Sequence, residues 1–241
     1  MSIFGLIEKV TAVSQGKGYG SHSTKAEVAR AAKLLGRRPD LAVDVGGNKG
    51  EYTSSLLSEN TQIEVHVFEP SATNVKHLKE RFSENEKVVI NDYGLGSIDR
   101  SGVLYSDTAG SGLASLTKRN LEHLGVEFEY SEPIQVRRFD SYWQETLNCR
   151  HIDIVKIDVE GHELEVLSGF GNAINHIDIL QFEFGGCNID TRSFFRDFWH
   201  FFSTHHFDLF RITPFGVNAV KHYSEKDECF VTTNYLARRR V

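Results

Sequence analysis

A doubly wound α/β fold is predicted by three observations. Short apolar strands alternate with helical segments in two blocks. A glycine-rich turn closes the first strand, and acids stand at three successive strand ends. The 241 residues suffice for one large core and are short for two full domains. A single domain is expected, with residues 1–38 as an N-terminal helical extension and 39–241 as the main body. With 33 acidic against 27 basic side chains the formal charge is -6, which opposes broad attraction to nucleic acid or anionic lipid. Cys149, Cys187 and Cys229 show no metal spacing and no redox pair, as expected of a cytoplasmic protein. No run of about 18 apolar residues occurs, so no membrane span is expected.

The segment TKAEVARAAKLL (24–35) is helical in composition, with Val28, Ala31, Ala32 and Leu35 on one stripe. It reads as packed on the body, with a flap or a homodimer contact as alternatives. LAVDVG (41–46) is the first strand and GEYTSSLLSE (50–59) its helix. IEVHVFEP (63–70) is the second strand, 71–84 a helix, and KVVIND (87–92) the third strand. These strands are β-branched and mostly apolar, as a sheet covered on both faces requires, and helical crossovers favour parallel pairing. GVLYSD (102–107) and IQVRRFD (134–140) are further strand candidates, and SDTAGSGLASLTKR (106–119) between them reads as a lid. IDIVKID (152–158), IDILQFEF (177–184) and FDLFRIT (207–213) resume the pattern. The aromatic segment 191–205 reads as one long core helix. CFVTTNYLARR (229–239) suits an antiparallel edge strand.

The first strand delivers Asp44 to a tight turn made by Gly46, Gly47, Asn48 and Gly50. The turn lacks the spacing of a dinucleotide fingerprint and of a phosphate-binding Walker loop. Glu69 ends the second strand, where a carboxylate accepts two hydrogen bonds from a ribose diol and repels a phosphorylated ribose. Asp92 ends the third and is placed to accept from an adenine amino group, with the adjacent Asn91 as a competitor. Together they describe a pocket for adenosine without phosphates. The reactive ligand that matches is S-adenosyl-L-methionine, whose sulfonium carries an activated methyl group.

A second acidic cluster lies in KIDVEGHELEVLSGF. Asp158 is placed to hold the methionyl end of the cofactor or to orient an acceptor. His162, with a near-neutral intrinsic pKa, is a candidate general base. Glu183 shares a strand face with Gln181 and is expected in the same crevice, as a base or a hydroxyl ligand. Asp158, Glu160 and Glu183 would be the ligands of a divalent cation, which is not expected to be needed.

The blocks LAVDVGGNKGEYT, VHVFEPS, NDYGLGS and DIVKIDVEGHELEVLSGF resemble the FkbM family of S-adenosylmethionine-dependent methyltransferases. The resemblance implies a class I, Rossmann-like methyltransferase with a seven-stranded, mostly parallel sheet and an antiparallel final strand. It also implies O-methylation of a sugar, polyol or other small natural product. Asp44, Gly46 and Gly50 match the family's cofactor loop, Glu69 its ribose acid, and Asp158, Glu160 and Gly161 the block after its fourth strand. Gly47 stands where many relatives carry alanine, and His162 where relatives often have a small residue. N-methylation, a nicotinamide-type oxidoreductase and a nonenzymatic interaction module are the competing expectations.

Overall fold

The computed structural model describes residues 2–19 and 23–240. Helix α1 (Ile3–Ser14) leads to α2 (Thr24–Leu35), whose N-terminus is capped by the Ser23 hydroxyl and which ends at Gly36. β1 (Leu41–Val45) is buried along its whole length. It is followed by α3 (Glu51–Glu59), β2 (Glu64–Phe68), α4 (Ala72–Arg81) and β3 (Val88–Asn91). The chain then leaves the main sheet. β4 (Gly94–Leu95), β5 (Arg100–Ser106) and β6 (Tyr130–Arg137) form a separate three-stranded sheet in the order β4-β6-β5. Helix α5 (Phe139–Glu145) returns it to β7 (Ile152–Ile157), α6 (Glu163–Gly169), β8 (Ile177–Phe184), α7 (Cys187–Thr191) and α8 (Phe195–Thr204). β9 (Phe207–Thr213), β10 (Gly216–Val220) and β11 (Thr233–Arg239) complete the fold.

The main sheet has the order β10-β9-β11-β8-β7-β1-β2-β3. β1, β2, β3, β7 and β8 pair in parallel, while β11 runs antiparallel to both β8 and β9. The seven expected strands are therefore present, and the hairpin strand β10 adds an eighth at the edge. Three local expectations change. The two middle strand candidates belong to the small sheet. β11 is an interior strand: Thr233–Ala237 are all buried, because the strand is covered by packing on both faces. The aromatic segment is two helices, interrupted at Arg192 (φ 55°), where the Asp197 carboxylate accepts the Phe194 N–H at 3.0 Å and starts α8.

The strand period of two sorts the sheet into two faces. Val43, Val45, Val155, Ile157, Leu180 and Phe182 pack with α5, α6 and α8; Phe198 of α8 stacks on Phe182 at 4.8 Å between centroids. Ala42, Ile154, Ile179 and Leu236 face the other way, against Val28 and Ala31 of α2 and Tyr52 and Leu56 of α3. On that second face the carboxyl ends of the strands turn polar. Asp44 is the register partner of Lys156, and Lys156 that of Gln181. Glu183 pairs with Asn234 one step further on. The same alternation that builds the core thus lines up a polar row at one sheet edge.

That edge requires a close backbone approach. Gly46 has φ 78°, and a Cβ there would lie 1.8 Å from the Asp158 carbonyl oxygen. Gly36 has the same φ and open space around it. We expect Gly36→Ala to lower stability by about 1 kcal/mol from backbone conformation alone. Gly46→Ala should lower it by at least about 3 kcal/mol, since the clash is with backbone. Urea denaturation of both variants measures the difference; equal losses would show that the approach is slack.

Candidate active site

The turn after β1 places its backbone first. Gly46 and Gly47 donate their N–H groups to the Phe68 carbonyl at 2.9 and 3.2 Å, tying the turn to β2. A Cβ on Gly47 would meet Val67 Cγ1 at 2.2 Å, so glycine lets the turn press against the neighbouring strand. Asn48 follows in the left-handed region (φ 47°) and donates its N–H to Glu69 Oε2 at 2.8 Å. Glu69 Oε1 accepts the Ser71 N–H at 2.9 Å. This carboxylate is 5% exposed, and burial pushes its pKa up. Gly50 closes the turn and starts α3.

Two cavities open along this edge. An apolar slot is walled by Phe68, Pro70, Gly94 and Leu95, with Glu69 at its rim. The small sheet and the segment 107–119 cover it through Leu104, Ile134, Val136, Ala114 and Leu116. Its free volume is about 70 Å³. The other cavity, about 320 Å³, is lined by Glu27, Asp44, Tyr52, Lys156, Asp158, Glu183 and Asn234 among others. The two share Gly46, Asn48, Gly112 and Asp158, so they form one cleft with an apolar and a polar end.

The polar end is dominated by carboxylates around one ammonium. Asp44 is fully buried. Its Oδ2 accepts the Thr53 hydroxyl at 2.7 Å, and its Oδ1 has no partner among the described residues. Lys156 Nζ lies 2.6 Å from Asp158 Oδ2 and 5.3 Å from the Tyr52 ring centroid. Burial alone would lower the Lys156 pKa, but Asp158 and Asp44 raise it above its ordinary value. Glu27, from α2, accepts from Gln181 Nε2 at 2.7 Å and Asn234 Nδ2 at 2.9 Å; burial raises its pKa. Glu183 makes no side-chain hydrogen bond or ion pair among the described residues. Burial, then Asp158 and Glu160, hold its pKa well above the ordinary carboxylate range.

The remaining expected residues divide. Glu160 (φ 53°) is ion-paired to Arg119 at 2.7 Å, yet burial and Asp158 push its pKa up to about 8. Arg119 also holds Asp190 at 3.0 Å, so it is a structural partner and not a free anion ligand. Asp158, Glu160 and Glu183 each present an oxygen within 4.8 Å of the others. His162 lines the apolar slot, but both ring nitrogens are engaged, with Thr117 Oγ1 at 3.0 Å and Glu165 Oε1 at 3.0 Å. With the Ser115 hydroxyl donating to the Glu160 carbonyl at 2.8 Å, these bonds fasten the segment 107–119 over the cleft.

Asp92 is the expected residue that the fold does not bring in. β3 ends at Asn91, the side chain of Asp92 is 69% exposed, and it lies 3.7 Å from Lys79 on the outer face. Asn91 donates instead to the Val67 carbonyl. The slot is closed at that point by Gly94 and Leu95. Conversely, Glu27, Tyr52 and Asn234 escaped the reading of the sequence. The one signal for Glu27 was an acid beside Val28 on the apolar stripe of α2.

The strand order, with an antiparallel strand inserted beside the last parallel one, and a cleft at the carboxyl ends of β1, β2 and β7 are those of the class I methyltransferase fold. The chain belongs to the FkbM family: the model of the methyltransferase FkbM domain matches residues 44–220. It is thereby an enzyme of the S-adenosylmethionine-dependent methyltransferase class, and the oxidoreductase and nonenzymatic readings fall away. A curated relative, Methyltransferase 1 of Beauveria bassiana, is 23% identical over 200 residues, 73% of this chain and 80% of the relative. Among solved structures, a precorrin-6y C5,15-methyltransferase from Geobacter metallireducens has 8% identity, a TM-score of 0.47 and coverage of 88% of this chain and 87% of its own. An rRNA methylase from Streptococcus thermophilus has 11% identity and a TM-score of 0.46, covering 90% and 95% respectively. No helix among the described residues is long and apolar enough to cross a membrane.

Glu163 supplies a test of the electrostatics. It is fully buried, and its Oε1 accepts the N–H groups of Val159 and Gly161 at 3.1 and 3.0 Å. Its Oε2 has no partner among the described residues, and burial pushes its pKa up to about 7. The folded chain therefore keeps protons on Glu163 and Glu160 at pH values where the unfolded chain has lost them. Stability should fall as pH rises from about 4.5 through about 8. Glu163→Gln mimics the protonated form and should flatten this fall in thermal midpoint. An unchanged slope would contradict the assignment of Glu163.

Proposed function

We propose that this enzyme transfers a methyl group from S-adenosylmethionine to a hydroxyl oxygen of a sugar, polyol or similar small molecule. The observation that carries this reading is Glu183, an unpaired carboxylate of raised basicity facing a cavity beside Asp158. Bound S-adenosylmethionine would supply an electrophilic methyl group on a sulfonium. Everything else in the reaction falls to residues of the chain.

The donor set fits that cofactor. Glu69 has lone pairs left for a ribose diol, and its charge disfavours a phosphorylated ribose. The apolar slot suits an adenine face, without the contact expected from Asp92. Asp44, with one oxygen lacking a donor, and Asp158 suit the ammonium of the methionyl end. Gly46, Gly47, Asn48 and Gly50 hold the turn between the two halves. The slot's volume of about 70 Å³ is well below the roughly 300–1,000 Å³ of ordinary ligand pockets. The segment 107–119 must therefore move outward to admit a nucleoside and then close over it, which excludes water.

At the polar end Glu183 accepts the acceptor's hydroxyl proton as the oxygen becomes nucleophilic. Its raised pKa makes it a stronger base than a solvated carboxylate once it is ionised. His162 is committed to fastening the covering segment, so the base role passes to Glu183. The acidic triad Asp158, Glu160 and Glu183 already spends two members on Lys156 and Arg119, so no step is assigned to a metal.

Two variants separate the halves of the cleft. Glu69→Ala should weaken S-adenosylhomocysteine binding by about ten- to a hundredfold, the loss of charged hydrogen bonds to a diol. Calorimetry showing unchanged affinity would remove Glu69 from the ribose site. Glu183→Gln should lower turnover by at least about a hundredfold while leaving that affinity within about twofold. Parallel losses in both quantities would place Glu183 on the cofactor instead.

A further inference from the structure

The polar cavity has a charge imbalance that the methyl donor alone does not remove. Four carboxylates (Glu27, Asp44, Asp158 and Glu183) line it inside the rim, against the single ammonium of Lys156. At the rim Lys49 and Glu51 offset each other. Hydrogen-bonding capacity is equally lopsided. Lys156 is already given to Asp158, and the Tyr52 hydroxyl donates to Gln181 at 3.1 Å. Asp44 Oδ1, fully buried, has no donor among the described residues, and neither does Glu183. A ligand that fills this cavity must bring donors and positive charge.

S-adenosylmethionine carries a sulfonium, an ammonium and a carboxylate, a net charge of one. With all four carboxylates ionised, adding it leaves two negative charges uncompensated. Passing the hydroxyl proton to Glu183 and the methyl group to the oxygen leaves that total unchanged, because the sulfonium loses its charge as the carboxylate is neutralised. Of the acids left without an ion pair, the geometry singles out Glu27. Asn234 is the cross-strand register partner of Glu183 and donates its side-chain amide to Glu27. Gln181, two residues before Glu183 on the same strand face, donates to the other oxygen of Glu27. Glu27 is thereby fixed beside the proposed base by two amides, makes no ion pair among the described residues, and shares Lys156 with Asp44 and Asp158 as its cation. Both Glu27 and Asn234 lie outside the span matched by the family domain, residues 44–220.

We propose that the acceptor carries a protonated amine as well as the hydroxyl, and that Glu27 is the residue that selects for it. This rests on the hydroxyl-methylation reading of the same cavity. The acceptor class is an amino sugar or amino polyol. The N-terminal helix α2 then acts as a specificity wall, carrying Glu27 into a cavity whose other acids come from the body of the fold. Burial raises the pKa of Glu27 and Glu183, and an ammonium bound beside them would favour their ionised forms.

The test uses the full chain saturated with S-adenosylhomocysteine and probe pairs that differ only in an amine. Glucosamine is compared with glucose, and serinol with glycerol, by titration calorimetry after chelator treatment. The expected result is binding of the amine member at least about tenfold tighter, and loss of that preference in Glu27→Gln with cofactor affinity unchanged. If Glu27→Gln does not fold, the wild-type pairs still decide. Equal affinity within the pairs, or binding of neither member, overturns the proposal. So does a preference that appears only on adding Mg²⁺, which would assign the acidic cluster to a divalent ion. The site of methylation on glucosamine is read separately by mass spectrometry. A methyl group on nitrogen would count against the hydroxyl reading, whereas the affinity ratio judges amine recognition.

Discussion

The buried ammonium of Lys156 lets a set of acids share one end of the cleft. It sits in a central strand that is buried along its whole length, with Asp158 at 2.6 Å and Asp44 as its register neighbour. Each of these carboxylates would be expensive to bury alone. Around one fixed cation they become a site: Asp158 is held in place, and Asp44 keeps a free oxygen. Glu183, further along the same face, remains unpaired and strongly basic.

The second requirement is geometric. The turns after β1 and β7 touch, and only glycine at 46 allows it. That approach brings Glu69, which binds the turn's backbone at Asn48, and Asp158, which follows β7, to opposite sides of one groove. The covering segment then completes the enclosure, and its anchors are the residues that follow Asp158: the Glu160 carbonyl and the His162 ring. Closing the cleft and positioning the acids are consequently one structural event.

Much of this was readable from the chain because it is local. A strand that ends in Asp44 and a run of glycines specifies a tight turn at the carboxyl edge whatever surrounds it. Glu69, Asp158 and Glu183 follow from the same rule. Asp92 failed because the rule depends on where the strand stops. β3 ends one residue earlier, and the chain turns away to build the small sheet, whose Leu104, Ile134 and Val136 wall the slot. That pairing joins segments some thirty residues apart and leaves no local mark. Glu27 was hidden for the same reason. Its partners Gln181 and Asn234 are 154 and 207 positions away, and only the docking of α2 reveals them.

The measurement that bears most directly on the central claim is a crystal structure with S-adenosylhomocysteine. The account predicts ribose hydroxyls on Glu69, the base between Phe68 and Leu95, and the amino-acid end beside Asp44 and Asp158, with Glu183 left free for the acceptor. A ligand lying outside the groove between Glu69 and Asp158, or one that consumes Glu183, would contradict it.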